Sequence, residues 1–286
     1  MDSDGARGAV VVTGSSTGIG RACVLHLDRL GFRVFGGVRR SEDAESLRAE
    51  ASERFEPLIL DVTDPDHIRT AAERVTQGTE PPLAGLVNNA GIGVGGPLEL
   101  VSVDDFRRQI EVNLIGQVAV SKAFIPPLRG ARGRLVFISS IGGLVATPFM
   151  SPYHASKFGV EAVGDVLRQE LGKFGVQVAI VEPGSVATPI WDKGKATAQA
   201  VRADLSAEGQ ELYGDALARA EERLEQTARR GAPPEKVARA VAHALTASRP
   251  RTRYRVGGDV RVAAALVRLV PDRLRDRLVA RAGGLG

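Results

Sequence analysis

Residues 9–20 read Ala-Val-Val-Val-Thr-Gly-Ser-Ser-Thr-Gly-Ile-Gly. A run that is apolar at every position, rich in β-branched residues and without alternation, predicts a strand over 9–13 buried on both faces, as in parallel sheets. The glycines that follow let backbone N–H groups approach a ligand with no Cβ in the way. A helix predicted over 19–30 begins where this loop ends, and a helix N-terminus offers unpaired donors and partial positive charge. Strand, glycine-rich turn and helix in that order predict a cradle for the pyrophosphate of a dinucleotide.

Working outward, the same alternation continues. Strands are predicted over 33–38, 58–60, 83–87, 134–138, 176–181 and 253–256, with helices over 43–54, 63–75, 102–128 and 151–174. Strict alternation of strand and helix implies a parallel sheet with right-handed crossovers. The expected fold class is α/β, a single-domain Rossmann-type doubly wound parallel sheet of about seven strands. The pattern changes after Pro183: 191–230 is a long, mostly polar helical stretch, punctuated by Gly231-Ala232-Pro233-Pro234 and followed by a helix over 235–247. Two short amphipathic pieces, 262–270 and 274–279, are split by Pro271. We therefore expect one domain over 1–286. Its core spans about 8–190 and 233–258, with a helical substrate insertion over about 190–232 and a helical tail over about 259–286.

Composition narrows the function classes. The chain has 286 residues, 43% hydrophobic and 25% charged, a globular balance that excludes a disordered chain. One cysteine, Cys23, excludes an intrachain disulfide framework, and with four histidines it argues against a metal site. No stretch approaches the roughly 18 apolar residues of a membrane span, and residues 1–8 lack the apolar core of a secretory signal. A cytoplasmic location is the expectation. From Arg249 onward the chain carries ten arginines against three aspartates, a local +7 against +4 overall, so the body is mildly acidic and the tail basic. Peripheral contact of that tail with an acidic membrane surface is the less favoured reading, and cover by the protein itself the favoured one. Nucleic acid is not expected, because aromatic residues make up only 5%.

The end of the second strand ordinarily meets the adenine ribose. An acidic residue there would bind the 2′-hydroxyl, but this chain reads Gly36-Gly37-Val38-Arg39-Arg40. An arginine fork suits a phosphate, so Arg39 favours NADP(H) over NAD(H). Asp61, at the end of the third strand, is placed for the adenine edge or for capping the next helix, with Thr63 as rival cap. Tyr153 and Lys157 are spaced i, i+4 and share a helix face. A free tyrosine has a pKa near 10, and a neighbouring ammonium lowers it toward a usable general acid/base.

With these residues in order, the chain resembles the short-chain dehydrogenase/reductase family, in its compact single-domain branch. Thr13 to Gly20 matches its T-G-x-x-x-G-I-G loop, Asn88-Asn89-Ala90-Gly91 its fourth-strand motif, and Glu111-Val112-Asn113 its helix asparagine. Ser140 lies thirteen residues before Tyr153, Tyr153-His154-Ala155-Ser156-Lys157 fits Y-x-A-S-K, and Pro183-Gly184 with Thr188-Pro189 fits the loop after the sixth strand. The resemblance implies an NAD(P)-dependent oxidoreductase acting on CH–OH groups. It makes Tyr153 the proton donor or acceptor and Ser140 the residue holding the substrate oxygen, with Ser139 the weaker candidate. It gives Lys157 the nicotinamide ribose, Asn113 a water linking Lys157 to solvent, and Thr188 the carboxamide. Gly14, Ser16, Thr17, Gly18, Ile19, Gly20, Arg39, Asp61, Val62, Asn89, Ala90, Gly91, Pro183, Gly184 and Val186 complete the implied cofactor contacts, alongside Tyr153 and Lys157.

The segment 250–257, with the apolar and basic pieces after it, is similar to the end of retinol and hydroxysteroid dehydrogenases. That implies a hydrophobic, steroid- or retinoid-like ketone or secondary alcohol. Phe149, Met150, Pro189, Ile190 and Trp191 are candidates to line its pocket. The alternatives are a 3-oxoacyl-carrier-protein reductase, which typically ends soon after the seventh strand, and a non-enzymatic cofactor sensor, which usually loses the Tyr/Lys pair. An extended-branch epimerase would need a longer chain. The resemblance also implies a homodimer or homotetramer, paired through the helices that hold Asn113 and Tyr153.

Overall fold

The computed structural model describes residues 7–77, 82–191, 194, 199, 202–203 and 205–283. Seven strands form one sheet: β1 Ala9–Val12, β2 Arg33–Val38, β3 Phe55–Ile59, β4 Leu83–Asn88, β5 Arg134–Ile138, β6 Gln177–Pro183 and β7 Arg253–Val256. Their order is β3-β2-β1-β4-β5-β6-β7, and each neighbouring pair is parallel. The order reverses between β1 and β4, the switch point where such sheets open a crevice at the carboxyl ends of their strands.

Because strand side chains alternate, β1 feeds both faces. Val10 and Val12 join one core cluster and Ala9 and Val11 the other. The first cluster is closed by α1 (Gly18–Arg29), α2 (Ser41–Arg48) and α8 (Pro234–Thr246), the second by α3 (Pro65–Thr76), α5 (Gly116–Ala131) and α6 (Ser151–Gly172). Phe35, Phe124, Phe137, Leu86 and Ile180 are fully buried, each contributing about 1.5–3 kcal/mol relative to exposure. Further helices among the described residues include α4 (Val103–Ile110), α7 (Ala207–Arg230), α9 (Gly258–Leu269) and α10 (Asp272–Gly283).

Several boundaries differ from the sequence expectation, each for a local reason. The helix expected over 43–54 stops at Arg48, because the Ser52 amide and hydroxyl both donate to Asp28 on α1 and pin the chain there. β3 then starts at Phe55, three residues early, and as an edge strand it tolerates Pro57. Neither Asp61 nor Thr63 caps α3. Asp64 does, accepting from the Asp66 and His67 amides at 2.8 and 3.1 Å. The helix expected over 102–128 is interrupted by a wide π turn, Glu111–Ile115, the kind of bulge that often marks a functional position.

Of the polar stretch 191–230, α7 is capped by Ser206, whose hydroxyl accepts from Gly209 N at 3.1 Å. Residues 192–193, 195–198, 200–201 and 204 lie outside the described residues. The apolar piece expected over 262–270 is covered on one side only. Val260, Ala263 and Ala264 are buried, whereas Val262 is 68% and Leu269 81% exposed. Among the described residues no helix is long and apolar enough to cross a membrane.

Candidate active site

The loop between β1 and α1 is braced from below. Thr13 Oγ1 accepts the amides of Asn89 and Ala90, both at 3.0 Å, and Asn89 Nδ2 donates to the carbonyls of Thr13 and Gly14 at 2.9 and 3.0 Å. Gly14 has φ +65°, and a Cβ there would lie 2.7 Å from Ala90 Cα. Gly18, at φ +56°, abuts Thr188, so the loop also meets the segment after β6. Thr17 makes no side-chain cap on α1, and no hydrogen bond to another side chain among the described residues takes up the first-turn donors. Ser16, Gly18 and Ile19 are half-buried and Thr17 is exposed around this rim, while Gly20 is buried, packed against Gly14 O. Closely packed glycines below open donors fit a dinucleotide pyrophosphate. Asn89, expected at the cofactor, braces the loop with its side chain, and Thr13 shares that work unforeseen.

At the end of β2 the two arginines separate. Arg40 pairs with Asp43 at 3.2 Å, while Arg39 is exposed with no ion pair or hydrogen bond among the described residues. Asp61 accepts from Thr63 N and Oγ1 at 3.0 and 2.8 Å, and Val62 is buried against Gly116.

The residues expected to react converge beyond the ends of β4, β5 and β6. Ser140 opens a short turn, Ile141–Gly143, with its hydroxyl accepting from Gly142 N at 3.1 Å. His154 holds this turn to α6. Its Nε2 accepts the Thr147 amide at 2.9 Å, so Nδ1 bears the proton and donates to Gly142 O at 2.9 Å. Burial lowers the His154 pKa and keeps the ring neutral. Lys157 is only 5% exposed, and its Nζ donates to Ile138 O at 2.9 Å and lies 5.8 Å from the Tyr153 ring centroid. Burial lowers the Lys157 pKa to about 8. The expected lowering of Tyr153 is reversed here. Protein packed around the phenol raises its pKa, with the Ser140 hydroxyl pulling the other way, and the Lys157 ammonium is engaged by the Ile138 carbonyl.

Asn113 sits fully buried in the π turn. It accepts from Ile92 N at 2.8 Å and donates to Ile92 O and Ser156 Oγ at 3.0 and 3.3 Å. It thus docks beside α6 without touching Lys157, and Gly91 lies against its amide. Ala90 O accepts from Gln117. After β6, Pro183 and Val186 are buried, Gly184 N donates to Val256 O at 2.9 Å, and the Trp191 indole donates to Val186 O. Thr188 is half-buried beside Gly18. Asp259, on the first turn of α9, accepts from Ser185 N, a contact with no signal in the local sequence because its partner lies far back in the chain.

A dinucleotide cradle at the switch point of a parallel sheet, with a tyrosine and lysine at its mouth, defines an NAD(P)-dependent oxidoreductase that acts on CH–OH groups. The profile of the family described as short chain dehydrogenase matches residues 8–199, and the chain belongs to that family. It is 39% identical over 280 residues to retinol dehydrogenase 5 of Mus musculus, covering 94% of this chain and 87% of that one. It is 36% identical over 285 residues to estradiol 17-beta-dehydrogenase 2 of Mus musculus, covering 95% and 74%. A crystal structure of a short-chain dehydrogenase from Streptomyces avermitilis superposes with a TM-score of 0.77 at 27% identity, over 97% of this chain and 96% of that one.

Proposed function

We propose that the protein interconverts a hydrophobic, steroid- or retinoid-like ketone and its secondary alcohol, using NADP(H) in preference to NAD(H). The observation that carries the reaction is the convergence of Ser140, Tyr153 and Lys157 beside the glycine loop. Reduction adds a hydride to the carbonyl carbon and a proton to its oxygen, and the bound nicotinamide supplies the hydride. Tyr153 donates the proton from its hydroxyl, Ser140 holds the same oxygen by hydrogen bond, and the Lys157 ammonium stabilises the phenolate left behind. Oxidation runs these steps backward. The cofactor preference rests on Arg39, which alone of the two arginines ending β2 keeps its donors free for a 2′-phosphate.

The apolar substrate is supported by the apolar contacts of the segments just before Tyr153 and after Thr188. Phe149 meets Tyr213 of α7 edge to face at 6.4 Å between centroids, Met150 packs on Gly95, and Ile190 approaches Gly93. The homologies to a retinol and an estradiol dehydrogenase point the same way. A homodimer or homotetramer fits the apolar side chains left exposed on α4, the π turn and α6: Val103 at 65%, Ile115 at 45%, Phe158 at 45% and Val166 at 50%.

The test is a panel of steroid, retinoid and short-chain carbonyls and alcohols with each of the four cofactor forms. Turnover confined to bulky apolar substrates with NADPH or NADP supports the reading. Turnover only of small polar substrates, or only with NADH or NAD, overturns it.

A further inference from the structure

Tyr153, Lys157, Glu161 and Asp165 follow one another at i, i+4 along α6, so the reacting pair continues into two acids on one helix face. Glu161 is 8% exposed, and beside it on β6 stands Glu182, fully buried. Two carboxylates buried side by side need cations, and β7 delivers them. Arg253 donates to Glu161 Oε2 through Nε and Nη2 at 3.1 and 3.0 Å, reaches both oxygens of Asp165 at 2.8 Å, and lies 3.0 Å from Glu182 Oε1. Arg255 Nε donates to Glu182 Oε2 at 3.0 Å.

The hydrogen bonds from Arg253 to Glu161 all fall on one oxygen, Oε2. The other, Oε1, is buried without a hydrogen bond of its own, and so is Ser139 Oγ. The two groups and the Lys157 backbone meet at Gly143: a Cβ there would lie 2.7 Å from Ser139 Oγ, 3.0 Å from Glu161 Cγ and 3.1 Å from Lys157 O. Nothing larger than glycine fits between them. Burial raises the Glu161 pKa, and the Ser139 hydroxyl and the Arg253 guanidinium pull it back toward the ionised form. The charged groups around Glu161 are thus Lys157 and Asp165 on α6, Glu182 on β6 and Arg253 on β7. Arg168 and Arg255 are the outer partners of Asp165 and Glu182.

We propose that Glu161, clamped by Arg253, is a positioning residue of the active site, whose carboxylate, one helical turn from Lys157 and buried with it, holds Lys157 in its charged form and seats the Ser139 side of the turn that carries Ser140. The inference rests on the reading of Tyr153 and Lys157 as the reacting pair. Burial alone drives the Lys157 ammonium toward neutrality, and the charge of Glu161 is what opposes it. A neutral Lys157 would leave the Tyr153 phenolate without its counter-charge. Through Arg253 the last strand of the sheet therefore governs the charge of the reacting helix.

The chain has six lysines, so ¹³Cε-lysine NMR of the full protein resolves the Lys157 titration, assigned by its loss in Lys157→Arg. The midpoint of the wild type should fall near 8. In Glu161→Gln it should move down by about one pH unit, the scale of losing an adjacent opposite charge, while the five other lysines stay in place. Arg253→Gln, which removes the cation that keeps Glu161 ionised, should shift Lys157 in the same direction and serves if Glu161→Gln does not fold. A purely structural Glu161 would lower the melting temperature and leave the Lys157 midpoint where it was, and that result in either folded variant overturns the proposal. Because no substrate is needed, failure here is separate from failure of the reacting-pair assignment, which Tyr153→Phe tests.

Discussion

Asp259 Oδ2 accepts the backbone amide of Ser185 at 2.9 Å, tying the first turn of α9 to the loop that carries Val186 and Thr188. The carboxylate also packs on Gly184, where a Cβ would collide with it. Hydrogen bonds to charged groups contribute about 1.5–3 kcal/mol. Asp259→Ala should therefore loosen the loop and raise the NADPH dissociation constant roughly tenfold or more, read by quenching of Trp191. Unchanged affinity would separate the tail from the cofactor loop.

Tyr153→Phe keeps the ring and removes the transferable proton. It should lower kcat by at least about 10²-fold, the usual scale of general acid/base help, with NADPH binding intact by titration. Turnover like that of the wild type would reassign the proton donor.

Arg39→Asp puts a carboxylate where the proposed function has a 2′-phosphate read. It should weaken NADPH by about tenfold or more, the scale of a lost charge-assisted bond, and spare or improve NADH. Tighter binding of NADH than NADPH by the wild type would remove the role given to Arg39.

Lys157 links catalysis to stability. Its pKa is about 8 in the folded chain and about 10.4 when unfolded. A depressed pKa means the folded state resists the proton, so this group's stabilising share is present above about pH 10.4 and is lost as pH falls through 8. At pH 7 the cost is on the order of 3 kcal/mol. Lys157→Met should melt higher than the wild type at pH 7 while losing activity, and the gap should narrow between pH 8 and 10. A lower melting temperature at pH 7 would contradict this sign.

Removing residues 260–286 takes away Val260, Ala263 and Ala264, which are buried, together with the exposed Val262 and Leu269. Substrate affinity or solubility should suffer more than NADPH binding. Co-sedimentation of the full chain with phosphatidylglycerol vesicles, abolished by high salt, would instead assign the exposed face to lipid.

Most of the fold was legible in the sequence because the strands of a sheet buried on both faces announce themselves by unbroken apolar runs. The candidate site could be drawn from the sequence because its spacings are local: Tyr153 and Lys157 one turn apart, Gly14 to Gly20 one loop. What escaped was tertiary. Thr13, His154 and Asp259 brace the site through partners that composition does not reveal, and Ser52 ends α2 only because Asp28 lies across from it. The support that the Asn89 side chain gives the loop likewise has no local signal. The charge of Tyr153 was misjudged because local spacing shows its neighbour Lys157 but neither the packing around the phenol nor the carbonyl that occupies the ammonium.

The strand order has a consequence for how the protein is made. β7 adds last in the chain and pairs only with β6, yet it brings Arg253 to Glu161 and Asp165, and Arg255 to Glu182. A nascent chain with six strands already emerged from the ribosome still has three acids crowded behind its catalytic helix with neither β7 cation to match them. The charge balance behind that helix is therefore completed by the last strand to be translated, and not by the nucleotide loop at the other end of the chain.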